Sequence, residues 1–227
     1  MSAPAIPARA VLFDLDGTLL DTAPDMAHAL NALRLEHRLE PIAFQRIRGF
    51  VSHGGYALIA LGFPEARESA REELRDRLLA IYRGRIAAET RLFAEMDVLL
   101  ERLEASGIAW GIVTNKPGFL TAPLLEALGL AARAAVVVSG DTLPERKPHP
   151  RPLLHAASQI GIAPPECLFV GDAERDILAA RAAGMRSLVA RFGYFSADDR
   201  PQEWPADGWI DSPLQILEFI EPEALRA

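Results

Sequence analysis

Five short apolar runs punctuate this 227-residue chain, and most of them stop abruptly at a polar turn. Arg9–Phe13 runs into DLDGT, Ile108–Val113 into TNKPG, Ala134–Val138 into SGD and Cys167–Val170 into GD; Arg186–Ala190 is the fifth. Runs of this length, ended by turn formers, read as buried strands. Between them lie helical patterns at Asp97–Ser106, Phe119–Leu128, Pro152–Ile160 and Ala173–Ala183, with Gly107, Gly129, Gly161 and Gly184 placed as C-terminal caps. Strands alternating with helices predict an α/β fold: a doubly wound, Rossmann-like parallel sheet covered on both faces. In such sheets the ligand lies beyond the carboxyl ends of the strands, where every DxD, TN and GD feature of this chain falls.

Residues 21–90 break the alternation. They hold no strand pattern and read as helices: one opened by Thr22–Asp25 as a capping box and reaching about His37, two short ones at Gln45–Phe50 and Tyr56–Leu61, and a long amphipathic one over Glu65–Ala88. The expectation is an all-helical domain, 21–90, inserted into a catalytic core formed by 1–20 and 91–227.

A formal net charge of −7 argues against a nucleic-acid binder, which needs a basic face. The lone Cys167 excludes an intrachain disulfide framework, and no stretch of about 18 apolar residues offers a membrane span. With no apolar leader in the first nine residues, the expected setting is the cytoplasm. Only two of the 24 basic side chains are lysines, Lys116 and Lys147. That usage suggests sites requiring a compact ammonium, the usual point charge for a phosphate.

Asp14 and Asp16 sit one residue apart in a turn, close enough to share a cation that keeps one ionised as a nucleophile. Gly17 allows close backbone approach and Thr18 adds a hydroxyl. Alone, DLDGT is equally an ordinary turn. Asp172 and Asp176 add hard oxygen ligands suited to Mg²⁺ after another strand. Thr114 and Asn115 offer a hydroxyl and backbone amides to phosphoryl oxygens, and the Pro-rich turn fixes the reach of Lys147. Acid, hydroxyl, base and acid at successive strand ends are more specific together than any one of them.

In that order the motifs VLFDLDGT, IVTNK, the Lys of RKPHP and LFVGDAERD resemble the haloacid dehalogenase superfamily over nearly the whole chain, with a helical cap of the phosphoglycolate-phosphatase type. The resemblance implies a Mg²⁺-dependent phosphate-monoester hydrolase. Asp14 would attack phosphorus and Asp16 would serve as acid and base. Mg²⁺ would be held by the carboxylates of Asp14 and Asp172 and the carbonyl of Asp16. Thr114, Asn115 and Lys147 would hold the phosphoryl group, and Asp176 would orient the metal's surroundings. An acid at position 16 favours an ester, whose alkoxide needs a proton, over a halide, which does not. The substrate would be a small phosphorylated metabolite. The DTAPD entry to the cap resembles phosphoglycolate phosphatases, and the tail from Gly193 resembles a branch acting on N-acetylmuramic acid 6-phosphate. The cap residues Arg48, Ser52 and His53 are candidates for reading that substrate, against an ordinary solvated turn. A monomer or homodimer is expected, free of membrane and nucleic acid.

Two other classes share these motifs: a phosphomutase, for which no cap signature is found, and a non-catalytic binding module, which predicts a lost motif residue where none is lost. His28, His37 and His155 lack partners at ligand spacing, and His149 reads as a turn residue beside Lys147. Cys167 and the tryptophans Trp110, Trp204 and Trp209 read as packing residues.

Overall fold

The computed structural model describes residues 5–222 and 224–226. Its centre is β1 (Ala10–Phe13), paired in parallel with β4 (Ala109–Val113) on one side and β6 (Cys167–Gly171) on the other. The sheet continues outward to β5 (Val136–Val138) and, on the far side, to β7 (Arg186–Ala190) and β8 (Gly208–Ile210), giving the order β5-β4-β1-β6-β7-β8. The chain leaves β1 for the β4–β5 half and returns for the β6–β8 half, so connections diverge beside β1 and open a crevice at its carboxyl end.

Alternation along β1 decides which layer each residue enters. Val11 and Phe13 join Leu99 and Leu103 of α5 (Met96–Ala105) and Leu124 of α6 (Gly118–Ala127) on one face. Ala10 and Leu12 meet Leu153 of α7 (Arg151–Ile160) and Ala180 of α8 (Glu174–Ala183) on the other. The four expected glycine stops all hold positive φ, between 66° and 72°, where a Cβ would be strained. β8, three residues long, was too short to show a period in the sequence.

Between β2 (Leu20–Asp21) and β3 (Arg91–Leu92), a two-stranded antiparallel ribbon, lie α1 (Ala23–Glu36), α2 (Phe44–Arg48), α3 (Gly55–Gly62) and α4 (Glu68–Arg83). They bury an apolar cluster of their own, including Leu30, Leu33, Leu58, Leu78 and Tyr82, to which Leu120 and Tyr194 of the sheet layer contribute. Two expectations about this block are corrected. The last helix is shorter than Glu65–Ala88, because Arg67 is extended and Gly84 ends it. Thr22 and Asp25 do not form a capping box: Thr22 makes no side-chain cap bond. Its hydroxyl donates instead to Asp16 Oδ1 at 2.6 Å. The fully buried Asp25 accepts from Glu89 N, Thr90 N (2.9 Å) and Thr90 Oγ1 (2.7 Å), so it ties the first turn of α1 to the returning chain.

Candidate active site

The turn after β1 brings Asp14 and Asp16 to the crevice with their side chains facing different partners. Gly17, at φ 90°, makes that turn possible: a Cβ there would lie 2.1 Å from Asp172 Oδ2, so no side chain fits. Lys147 Nζ reaches Asp14 Oδ1 at 2.8 Å, Asp176 Oδ1 at 2.8 Å and the Val113 carbonyl at 2.6 Å. Burial pulls the Lys147 pKa down, but the charges of Asp14 and Asp176 outweigh it and hold the ammonium above its ordinary value. The turn carrying Lys147 is pinned by the Asn115 side chain, whose amide donates to Lys147 O (2.9 Å) and whose oxygen accepts from Lys147 N (3.1 Å). Asn115 therefore places the lysine through its side chain. Beside it Thr114 Oγ1 accepts from Lys116 N (3.1 Å), which leaves its own proton for an incoming acceptor.

Asp16 is met by the second lysine. Lys116 Nζ lies 2.9 Å and 3.2 Å from its two carboxylate oxygens and 4.5 Å from the Tyr82 ring centre. Burial opposes its charge, and Asp16 and Tyr82 restore it, so the ammonium stays protonated well above neutrality. Motif reasoning placed a role only on Lys147; the signal for Lys116 was its rarity in an arginine-rich chain.

Behind Asp14, the carboxylates of Asp14, Asp172 and Asp176 converge, one oxygen from each within 4.8 Å of the others. All three are buried. Burial lifts both Asp172 and Asp176 above the usual carboxylate range; at Asp172 the charges of Asp14 and Asp176 add to it, and at Asp176 the Lys147 ammonium offsets part of it. The nest concentrates negative charge in a dry place, and its all-oxygen donor set is the kind that holds a hard dication such as Mg²⁺. The carboxylate of Asp16 lies outside this cluster, facing Lys116 and Thr22. Asp172 is further held by Thr18 Oγ1 (3.2 Å), Tyr194 N (2.9 Å) and Ser52 Oγ (2.6 Å), the last reaching across from the helical block. Ser52 Oγ also lies 3.2 Å from the Asp16 carbonyl.

Asp14, Asp16, Thr114, Asn115, Lys116 and Lys147 line a cavity of about 260 Å³ between the strand ends and the helical block, with Ser52, His53, Tyr56 and Arg75 on the upper wall. Arg48 does not line it. Its guanidinium donates to the carbonyls of Gly193 (2.9 Å) and Phe192 (3.3 Å) and lies 4.7 Å from the Tyr194 ring centre. The Arg in the cavity from this block is Arg75, on α4, which sequence reasoning passed over because it sits among exposed helix charges. His53 faces the cavity and also meets Asp199 Oδ2 at 3.3 Å. Cys167 is fully buried, and burial pushes its thiol up to about 11, as befits a packing residue.

Paired carboxylates fronted by ammonium groups, beside a hard-oxygen nest, are equipped to bind and split a phosphate ester, and the α/β sheet delivers them at its switch point. Fold and site together define a hydrolase of phosphate esters. The chain belongs to the haloacid dehalogenase-like hydrolases, whose family model matches residues 11–190, and it is a phosphatase. It is 50% identical to a phosphoglycolate phosphatase of Xanthomonas campestris pv. campestris over 92% of this chain and 95% of that one. It is 41% identical to an N-acetylmuramic acid 6-phosphate phosphatase of Pseudomonas aeruginosa, over 94% and 95%. A crystal structure described as a predicted phosphoglycolate phosphatase from Haemophilus somnus superposes with a TM-score of 0.83 at 27% identity, covering 94% of this chain and 98% of that one.

Proposed function

We propose that the protein hydrolyses a small phosphate monoester through an aspartyl-phosphate on Asp14, with 2-phosphoglycolate or N-acetylmuramic acid 6-phosphate as candidate substrates. The observation that carries this reading is the division of labour between the two lysines: Lys147 Nζ sits 2.8 Å from Asp14, the proposed nucleophile, and Lys116 Nζ sits 2.9 Å from Asp16 in the same cavity. A phosphoryl group enters beside Thr114 and Lys147. The Asp14 carboxylate attacks phosphorus as the ester oxygen departs, and Asp16 gives that oxygen its proton. Asp16 then takes a proton from water, whose oxygen attacks the same phosphorus. Phosphate leaves, and the Asp14 carboxylate is regenerated. Asp14 and Asp172 through their carboxylates and Asp16 through its carbonyl would hold Mg²⁺, with Asp176 beside them, and the ion would supply charge neutralisation for the phosphoryl oxygens. In this reading 1–20 and 91–227 are the catalytic core and 21–90 is its cap, which closes over the cavity and limits water. The names of the similar proteins support the substrate candidates, and none of the comparisons favours a mutase.

Asp14→Asn is expected to lower kcat by at least ~100-fold while leaving the fold intact, since loss of a covalent nucleophile is rarely compensated. Acid-quenched wild-type protein should retain label from a ³²P-labelled ester, and the variant should not. Turnover by Asp14→Asn at the wild-type rate would overturn the mechanism.

A further inference from the structure

The cavity holds more positive charge than one phosphoryl group needs. Five cationic side chains line it (Arg75, Lys116, Arg146, Lys147 and Arg175) against two carboxylates, Asp14 and Asp16. That is an excess of three positive groups in a chain whose formal net charge is −7. A phosphate monoester brings a charge of about −1.5 to −2. The two lysines face carboxylates of their own, so what the cavity offers a second anionic group on the substrate is its guanidinium groups.

The five are not equally free to meet it. Lys147 is spent on Asp14, Asp176 and the Val113 carbonyl, and Lys116 on Asp16 and the Tyr82 ring. Arg175 donates to the Ser52 carbonyl. Arg75 has the weakest tie among the paired ones: among the described residues its only charged partner is its sequence neighbour Asp76 at 3.0 Å, whose side chain is 65% exposed. A solvated pair of that kind is worth little and yields readily to a stronger partner. The guanidinium is placed instead by packing. It lies 4.9 Å from the Tyr56 ring centre. Its stem passes Gly55, where a Cβ would meet Arg75 Cγ at 3.3 Å. A planar, pre-oriented donor fork on the wall opposite the strand ends is suited to a carboxylate.

We propose that Arg75, stacked on Tyr56, is the specificity-determining residue of this cavity and reads a carboxylate at the far end of the substrate from its phosphate. This rests on the phosphatase reading above and assigns the selectivity of the same cavity. At about 260 Å³ the space is at or below the ~300 Å³ lower end of pockets that take drug-sized ligands, which fits a compact metabolite. Arg146, exposed at the core rim of the cavity and without a side-chain partner among the described residues, is the second free guanidinium on the approach.

The test compares wild type, Arg75→Ala and Arg75→Lys on 2-phosphoglycolate and on 2-hydroxyethyl phosphate, which replaces the carboxylate by a neutral alcohol. Arg75→Ala should lower kcat/KM roughly a hundredfold on the acid, mainly through KM, and leave the alcohol ester within about twofold. Arg75→Lys should restore part of the loss. Calorimetric binding of phosphonoacetate, which is not hydrolysed, should weaken in parallel with the loss on the acid. Equal losses on both esters, no loss on either, or unchanged phosphonoacetate binding would each overturn the assignment. If wild type hydrolyses neither ester, the reading of 2-phosphoglycolate as substrate fails instead, and the phosphonoacetate titration still decides the role of Arg75.

Discussion

Asp172 shows how one residue can be arranged for a ligand at the expense of the bare fold. Its folded pKa is raised by burial and by Asp14 and Asp176. A carboxyl raised in this way is favourable to folding below its unfolded pKa of ~4, and that contribution is lost as pH rises through the folded value. At pH 7, above the unfolded pKa but below the folded value of about 8, the metal-free protein must hold on Asp172 a proton that the unfolded chain has released, and this lowers its stability. Asp172→Asn keeps the local bonds: its oxygen can accept from Tyr194 N and Ser52, and its amide can donate to Thr18. In chelator at pH 7 the variant should be more stable than wild type by about 1 kcal/mol or more. The gap should shrink as pH falls and close below pH ~4, where wild-type Asp172 is protonated in both states. Added Mg²⁺ should reverse the order, since only a protein that binds the ion gains from mass action. Thermal melts across pH, with and without Mg²⁺, check this; an Asn variant less stable in chelator at pH 7 would show that the three carboxylates are not in conflict. The acidic positions of this nest were legible because acids at strand ends of an α/β pattern have few other uses. Lys116 was legible only as a rarity, and its pairing with Asp16 spans 100 residues that no local pattern connects.

At the scale of elements, the sheet followed from apolar runs, because fully buried parallel strands are near-continuous in hydrophobic residues. The ribbon of β2 and β3 was invisible, since two residues carry no period. Asp25 was misread for a related reason: TAPD has the composition of a capping box, but the partners that won are 64 and 65 residues away. Tertiary competition decided the outcome. Asp25 holds both strands of chain that connect the helical block to the sheet layer, so its loss should be felt there first. Asp25→Ala removes the acceptor for Glu89 N, Thr90 N and Thr90 Oγ1 and leaves buried donors unsatisfied, a penalty of about 3 kcal/mol. Hydrogen exchange should accelerate at 85–91 and over the first turn of α1 more than in β1, β4 or β6. Uniform acceleration across the sheet would mean that Asp25 supports the global fold and not the connection.

For the whole molecule, the question is what holds the helical block over the crevice in the observed arrangement. The contacts converge on the loop after β7. Arg48 donates to the carbonyls of Phe192 and Gly193 and covers the Tyr194 ring. Tyr194 in turn donates to Asp21 Oδ1 (2.6 Å) and accepts from Ala23 N (2.9 Å), gripping the entry to the block. His53 and Asp199 form a second tie. Gly49 lies so close to this loop that a Cβ would come within 2.6 Å of the Phe195 carbonyl. Arg48 thus acts on the relation between the two layers, whereas Arg75 faces the substrate space. The two substitutions should differ in kind. Arg48→Ala weakens docking without touching the ligand, so kcat should fall by a similar factor, about 10-fold, on acidic and neutral phosphate esters alike, as expected when an interaction that assembles the closed site is weakened. Small-angle scattering should report an increased radius of gyration for the ligand-free variant, and Phe195→Gly, which leaves the Arg48 contacts in place, should not mimic it. A loss confined to carboxylate-bearing esters, with no change in dimensions, would instead return Arg48 to the substrate and remove it from the tether.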